Sequence, residues 1–299
     1  MIDAFLHAAV LMTTPILLAA LGGLVNRIGG VVNIGLEAMM IAGALVAVIV
    51  SVDSGSASLA TLAALVTGAL VGLLMSIVIT RLQANEIIVG LGFALATAGL
   101  VRFVLKSVYG VSGTYNPPDV VMLPRIGVPG LAEIPIVGAI FSGLDPLTWL
   151  AWALVPAVAF VLHRTRWGLR LRATGADEAT VRAVGLHPLS IRDASTVFAG
   201  ALAGLGGAQL SIGIVGLFNE GITGGRGFIA LAAFYFGRIS PLRTAIGALL
   251  FGVFDAAQIR LQGHGVPAEL VQTLPYIIVI VVLTGLGLAD GRAERTRML

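Results

Sequence analysis

Apolar residues run through this chain in long blocks rather than in alternation. Stretches without Asp, Glu, Lys or Arg extend from Ala4 to Asn26, Ser54 to Thr80, Pro146 to His163, Ala194 to Asn219 and Leu270 to Ala289. Each approaches or exceeds the ~20 residues that carry a helix across a bilayer. The strands of a membrane barrel would alternate apolar and polar positions, and these blocks do not. Further spans are predicted over Ile34–Val52, interrupted by Glu37, Ile87–Leu105, interrupted by Arg102, and Thr244–Ile259, interrupted by Asp255; a shorter run covers Gly227–Gly237. The pattern predicts an all-α polytopic membrane protein of about eight to ten transmembrane helices, some broken or re-entrant, because in lipid only helices satisfy their own backbone polar groups within one segment.

Composition strengthens this reading. Of 299 residues 58% are hydrophobic and 11% charged, against about a quarter charged in soluble domains. The absence of Cys excludes disulfides, iron–sulfur clusters and thiolate metal sites, and His7, His163, His187 and His264 are too scattered to predict a metal site. A net charge of +3 would suggest nucleic acid in a soluble protein; here the basic residues flank spans, which points to membrane orientation and no nucleic-acid partner. The opening MIDAFLHAAV lacks the basic region of a cleavable signal, so the first block is read as a span.

Basic residues also predict which way the chain faces. The segment between the Pro146 and Ala194 blocks holds Arg164, Arg166, Arg170, Arg172, Arg182 and Arg192, six of the 18 Lys and Arg, and is expected in the cytoplasm. Residues 1–299 then form one membrane domain, with an external loop at 106–145, a cytoplasmic coupling loop at 164–193 and a cytoplasmic tail at 290–299. Within the external loop IPIVGAIFSG is too short to span and is expected to lie at the interface.

The positive-inside rule accounts for the first four arginines but not for TGADEATVRAVG. There Thr174 and Asp177 have capping-box spacing, Glu178 and Arg182 form an i,i+4 pair, and Gly185 followed by Pro188 stops a helix expected over Ala176–Val184. Its face of Ala176, Ala179 and Ala183 is small and uncharged, suited to docking in a groove of a cytosolic partner.

Polar residues inside membrane spans are costly and therefore functional candidates. Asn33 and Glu37 are expected on one helical face, just after the Gly-rich break GGVVNIG. FNEGITGGRGF, with Asn219 and Glu220, is a second Gly-rich interruption, and paired interruptions in two halves point to a substrate path. Asn85 is a candidate lining residue or a plain helix cap; Phe93 and Thr97, one turn apart, could offer an aromatic face and a hydroxyl to a solute or simply fill the bundle. Asp255 could snorkel or pair with Arg260. Gly68 and Gly72 permit close helix contact, within the bundle or between copies.

The loop WGLRLRATGADEATVRAVGLHPLSIR resembles the coupling-helix region of permease subunits of bacterial ABC importers, in the branched-chain amino acid, ribose and nucleoside permease superfamily. LMTTPILLAALGGLVNRIGGVVNIGLEAMMIAGA, QANEIIVGLG and GGRGFIALAAFYFGRISPLRTAIGALLFG look like its nucleoside or simple-sugar branch; Asn26 and Ala38 depart from the acidic residue and the Gly common there. The resemblance implies an importer subunit in the bacterial cytoplasmic membrane, without enzymatic activity of its own. It implies contact with membrane lipid, with an ATP-binding subunit, with a second permease copy or related permease, and with an extracytoplasmic substrate-binding protein. Coupling to the ATPase would fall to Arg172, Gly175, Asp177, Glu178, Ala179, Arg182 and Gly185. No cofactor is expected on this chain: its single Lys, Lys106, follows Leu105 rather than the Gly of a P-loop, so ATP and Mg would sit on the partner subunit. The alternative is an ion-coupled secondary transporter with Glu37 and Asp255 carrying the coupling ion.

Overall fold

The computed structural model describes residues 2–127, 141–262 and 284. The chain order is α1 (Ile2–Ile28), α2 (Leu36–Ser54), α3 (Ala57–Thr80), α4 (Glu86–Val108), β1 (Thr114–Tyr115), α5 (Pro146–Arg164), α6 (Arg166–Ala176), α7 (Glu178–Ala183), α8 (Pro188–Ala208), β2 (Phe218–Asn219), α9 (Arg226–Gly237) and α10 (Pro241–Gln262). Among the described residues seven helices are long and apolar enough to cross a membrane: α1 to α5, α8 and α10. The protein is an all-α polytopic membrane protein. The expected span over Leu270–Ala289, the tail at 290–299 and most of IPIVGAIFSG lie outside the described residues.

Helix boundaries follow local chemistry. Ser56 accepts from the Leu59 N–H to start α3, Asn85 accepts from Ile87 and Ile88 to start α4, and Asp145 accepts from Thr148 ahead of Pro146 to start α5. The block predicted to run on to Asn219 leaves the α-helix earlier: α8 widens into a π-helical stretch, Gln209–Val215, and stops at Gly216, whose φ of 75° closes the turn. The short apolar run near Gly227 is helical as α9, but its 12 residues extend only about 18 Å, less than the hydrocarbon core of about 30 Å.

Helices α1, α2 and α8 form the centre, with α3 against α8 and α10 against α1. In lipid this packing depends on backbone approach more than on hydrophobic transfer. A Cβ on Gly68 would collide with the Gly200 carbonyl, and one on Gly72 would come within 2.6 Å of the Thr196 carbonyl, so these glycines serve contact inside one chain, between α3 and α8.

Both ends of the bundle are organised. At one end α1, α6, α8 and α9 bring together Arg27, Arg172, Arg192 and Arg238, and Asp193 accepts from Ser76 (2.6 Å), Thr80 (2.9 Å) and Arg81 (2.8 Å). At the other, β1 pairs antiparallel with β2, Thr114 facing Asn219, and Ser51 Oγ donates to the Val121 carbonyl at 2.8 Å.

Candidate coupling and translocation site

The Arg-rich segment folds as two helices. Thr165 caps α6, which buries Gly168, Leu171 and Thr174 on one face. That buried face carries the helix past the expected start at Thr174, whose hydroxyl donates to the Arg170 carbonyl (2.8 Å) inside α6. The expected Thr174–Asp177 capping box is therefore replaced by Asp177 alone, which accepts from the Ala179 N–H (2.9 Å) and the Thr180 hydroxyl. The Thr180 hydroxyl, followed by the Ala179 and Thr180 N–H groups, holds the Asp177 carboxyl below its ordinary range. The helix predicted over Ala176–Val184 is the shorter α7, ended by Gly185 at φ 79°. Ala176, Ala179 and Ala183 are exposed, while Val181 anchors the turn beneath them.

Contacts run from α7 into the membrane. Glu178 receives Arg182, the predicted i,i+4 pair, and also Arg192 Nη1 at 2.6 Å. Arg192 Nε in turn donates to the Gly29 carbonyl at 3.3 Å. Gly175 lies directly on the Ile28 carbonyl, where a Cβ would not fit. Both contacts reach the link between α1 and α2.

That link is irregular and polar. Asn33 precedes the helix, which begins at Leu36, so Asn33 and Glu37 do not share the predicted helical face. Asn33 Nδ2 donates to Asn26 Oδ1 (3.0 Å), and Asn26 Nδ2 donates to Ser195 (3.2 Å) and Thr196 (3.0 Å) on α8. Asn33 Oδ1 is buried without a hydrogen-bond partner among the described residues. Glu37 points instead toward α9: its Oε1 accepts from Thr223 Oγ1 (2.6 Å) and its Oε2 from the Gly227 N–H (2.8 Å). Only 7% of Glu37 is exposed, so its carboxylate is held by protein donors rather than wetted at a surface. The two interruptions read from the sequence thus meet at one carboxylate, which fastens the start of α2 to the start of α9.

The other pathway candidates are dispersed. Asn85 caps α4; Phe93 is half-buried against the core and Thr97 is buried. Asn219 sits in β2 opposite Thr114, and Glu220 accepts from Arg102 (2.8 Å) at the end of the bundle away from the arginine cluster. Arg226, Asp145 and Gln209, not singled out in the sequence, help complete the interior. Asp255, read from the sequence as snorkelling or pairing with Arg260, pairs with Arg226 at 2.8 Å. Arg226 also donates to the Thr223 carbonyl (3.2 Å), bracing the loop that leads into α9. Asp145 accepts from Thr148 (3.0 Å) and Gln209 (2.7 Å) at the start of the π-helical stretch. The readable signal for the first pair was an Arg ending one Gly-rich interruption and an Asp breaking an apolar run, since each needs an opposite charge in lipid.

Residues 5–283 match the family model for the permease component of branched-chain amino acid transport systems. The chain belongs to this permease family. The permease is 34% identical to the guanosine ABC transporter permease protein NupQ of Bacillus subtilis, covering 95% of this chain and 92% of the relative. It is 32% identical to the nucleoside ABC transporter permease protein NupC of Lactococcus lactis, covering 91% and 88%. A putative glucose ABC transporter permease protein of Haloferax volcanii, TsgC13, is also 32% identical, over 93% of this chain and 90% of its own. No solved structure matches the chain. The permease is thus a multi-pass cell-membrane subunit of an ABC importer, not an enzyme, and works with an ATP-binding subunit and a substrate-binding protein. This sets aside the ion-coupled alternative.

Proposed function

We propose that the permease translocates nucleosides, with simple sugars as the neighbouring class of solute. The carrying observation is the likeness, over nearly the whole chain, to relatives named for guanosine and nucleoside transport. The arginine-rich end faces the cytoplasm, as the concentration of Arg there favours, and α7 docks on the ATP-binding subunit through Asp177, Glu178, Ala179, Arg182 and Gly185, with Arg172 and Gly175 behind them on α6. ATP and Mg are held by that subunit. The pore is completed by a second copy of this chain or a related permease.

In this reading ATP-driven movement of α7 reaches the membrane through Glu178, Arg192 and the Gly29 carbonyl, and through Gly175 against Ile28. Both press on the α1–α2 link, and Glu37 passes the displacement to the loop before α9. A re-entrant start of this kind can shift because its backbone is held by a few side-chain bonds rather than by a helical ladder. Uptake of a panel of labelled nucleosides, pentoses, hexoses and amino acids, with the cognate ATPase and binding protein present, tests the assignment. Nucleoside uptake that excess unlabelled amino acid leaves unchanged is expected; uptake confined to amino acids would overturn it.

A further inference from the structure

On one flank of the bundle a groove of about 140 Å³ opens between α1, α5 and α8. Leu154, Ala157 and Val161 line it from one face of α5, Val25 and Phe198 stand opposite, and Trp167 lies at its basic end. Its described walls are hydrocarbon apart from the Trp167 indole. Phe160 and Leu169 nearby are exposed, so this flank meets the bilayer. The corner below the groove is tightly built: Thr165 Oγ1 donates to the Val161 carbonyl (2.6 Å) and accepts from the Gly168 N–H (3.2 Å). A Cβ on Gly168 would collide with the Val161 and Leu162 carbonyls, so the close approach of α6 holds Trp167 against the end of α5. Around this corner stand Arg164, the last residue of α5, and Arg166 and Arg170, one turn apart on α6, all three exposed. None of the three has an ion-pair partner among the described residues, and the chain carries no Asp or Glu from Pro146 to Ala176. A hydrocarbon groove therefore ends in uncancelled positive charge.

We infer that the groove seats an acyl chain of an anionic phospholipid whose phosphate is held by Arg164, Arg166 and Arg170. A phosphate oxyanion meets guanidinium groups in charge-assisted hydrogen bonds, and arginines gathered at the end of a membrane helix draw anionic headgroups. An indole suits the same depth, where one side is apolar and the other wet. The hydrocarbon walls favour a lipid over free phosphate. A second copy docked here by two-fold symmetry would set the same arginines against themselves without adding a carboxylate. These arginines stand apart from the surface that receives the ATP-binding subunit. From them α6 runs on to Gly175 and the Ile28 carbonyl, so a bound lipid steadies the corner from which that contact is made.

Native mass spectrometry of the purified full chain, titrated with phosphatidylglycerol, phosphatidylcholine or glycerol phosphate, tests the inference. Preferential retention of phosphatidylglycerol is expected, falling about five-fold in Arg166→Gln and again in Arg170→Gln. Ala157→Trp, which fills the groove and leaves the charge alone, should lower retention as well. Arg125→Gln, exposed on the segment after β1, makes the same charge change elsewhere and should retain lipid as the parent does. Monodisperse elution and an unchanged thermal transition for each variant exclude simple misfolding. Undiminished phosphatidylglycerol retention in the two arginine variants, or in Ala157→Trp, would overturn the site. Equal retention of phosphatidylcholine would overturn the role of the arginines, and equal retention of glycerol phosphate that of the groove. A lipid-free dimer that Ala157→Trp splits would give the groove to a second copy and overturn the assignment to lipid.

Discussion

Glu178 on α7 and Arg192 on α8 meet at 2.6 Å, and through Arg192 the short helix is joined to the Gly29 carbonyl at the mouth of the broken segment before α2. The pair is only partly exposed, at 28% and 22% of the two side chains, so water screens it less than an open surface pair. Glu178 therefore has two tasks: it steadies α7 through Arg182 and ties that helix to the membrane through Arg192. Removing Arg192 should separate them. Arg192→Met is expected to lower ATP-driven uptake several-fold while the ATP-binding subunit still co-purifies; Glu178→Arg should lose both. A double-mutant cycle on Glu178→Gln and Arg192→Met, read as initial uptake rates, should be clearly less than additive.

Glu37 is the joint between two helix starts. In Glu37→Gln the amide oxygen can still accept from the Gly227 N–H and the NH2 can donate to Thr223 Oγ1, but the Thr223 hydroxyl hydrogen then loses its buried acceptor, at a cost of about 1–3 kcal/mol. The variant should insert and assemble, melt several degrees lower, and transport more slowly. Thermal shift and uptake on the same preparation check both. Thr223→Val should reproduce part of the effect, because it removes the hydroxyl that donates at 2.6 Å.

Contact between α3 and α8 should tolerate no added carbon. A Cβ on Gly200 would collide with the Gly68 carbonyl, and the two glycines sit on helices that cannot separate without opening the centre of the bundle. Gly200→Ala is expected to abolish the monodisperse species in size exclusion. Gly99→Ala, on α4 with open space around it, should be neutral or stabilising by roughly 0.5–1 kcal/mol.

Arg226 and Asp255 form a pair whose side chains are 19% and 6% exposed. Truncating one partner strands the other charge and should cost about 3–5 kcal/mol, whereas replacing both by apolar residues of similar volume should be nearly neutral. Asp255→Leu is therefore expected to melt well below the parent, and Arg226→Met with Asp255→Leu close to it. Uptake by the double variant then reports whether the pair also serves transport.

Much of this organisation was legible in the chain. Apolar blocks located the long helices, and the cap Asn85 stood where side-chain chemistry required it. Gly68 and Gly72 announced a close contact but not its partner, because only tertiary packing brings Gly200 and Gly204 to meet them. Thr174 misled: its cap-like spacing is overridden by Leu171 and Gly168, whose burial prolongs α6. Asn33 and Glu37 shared a spacing but not a helix, since the chain stays irregular until Leu36. Asp255 meets Arg226 because α9 folds back beside α10, a pairing that local sequence does not encode.

The most direct measurement is solute uptake into proteoliposomes carrying the permease with its binding protein, with and without the ATP-binding subunit and ATP. Transport is expected only when the ATP-binding subunit hydrolyses ATP, and it should vanish in Glu178→Arg although the protein inserts. Uptake by the permease without that subunit, driven by a proton or sodium gradient, would contradict the account.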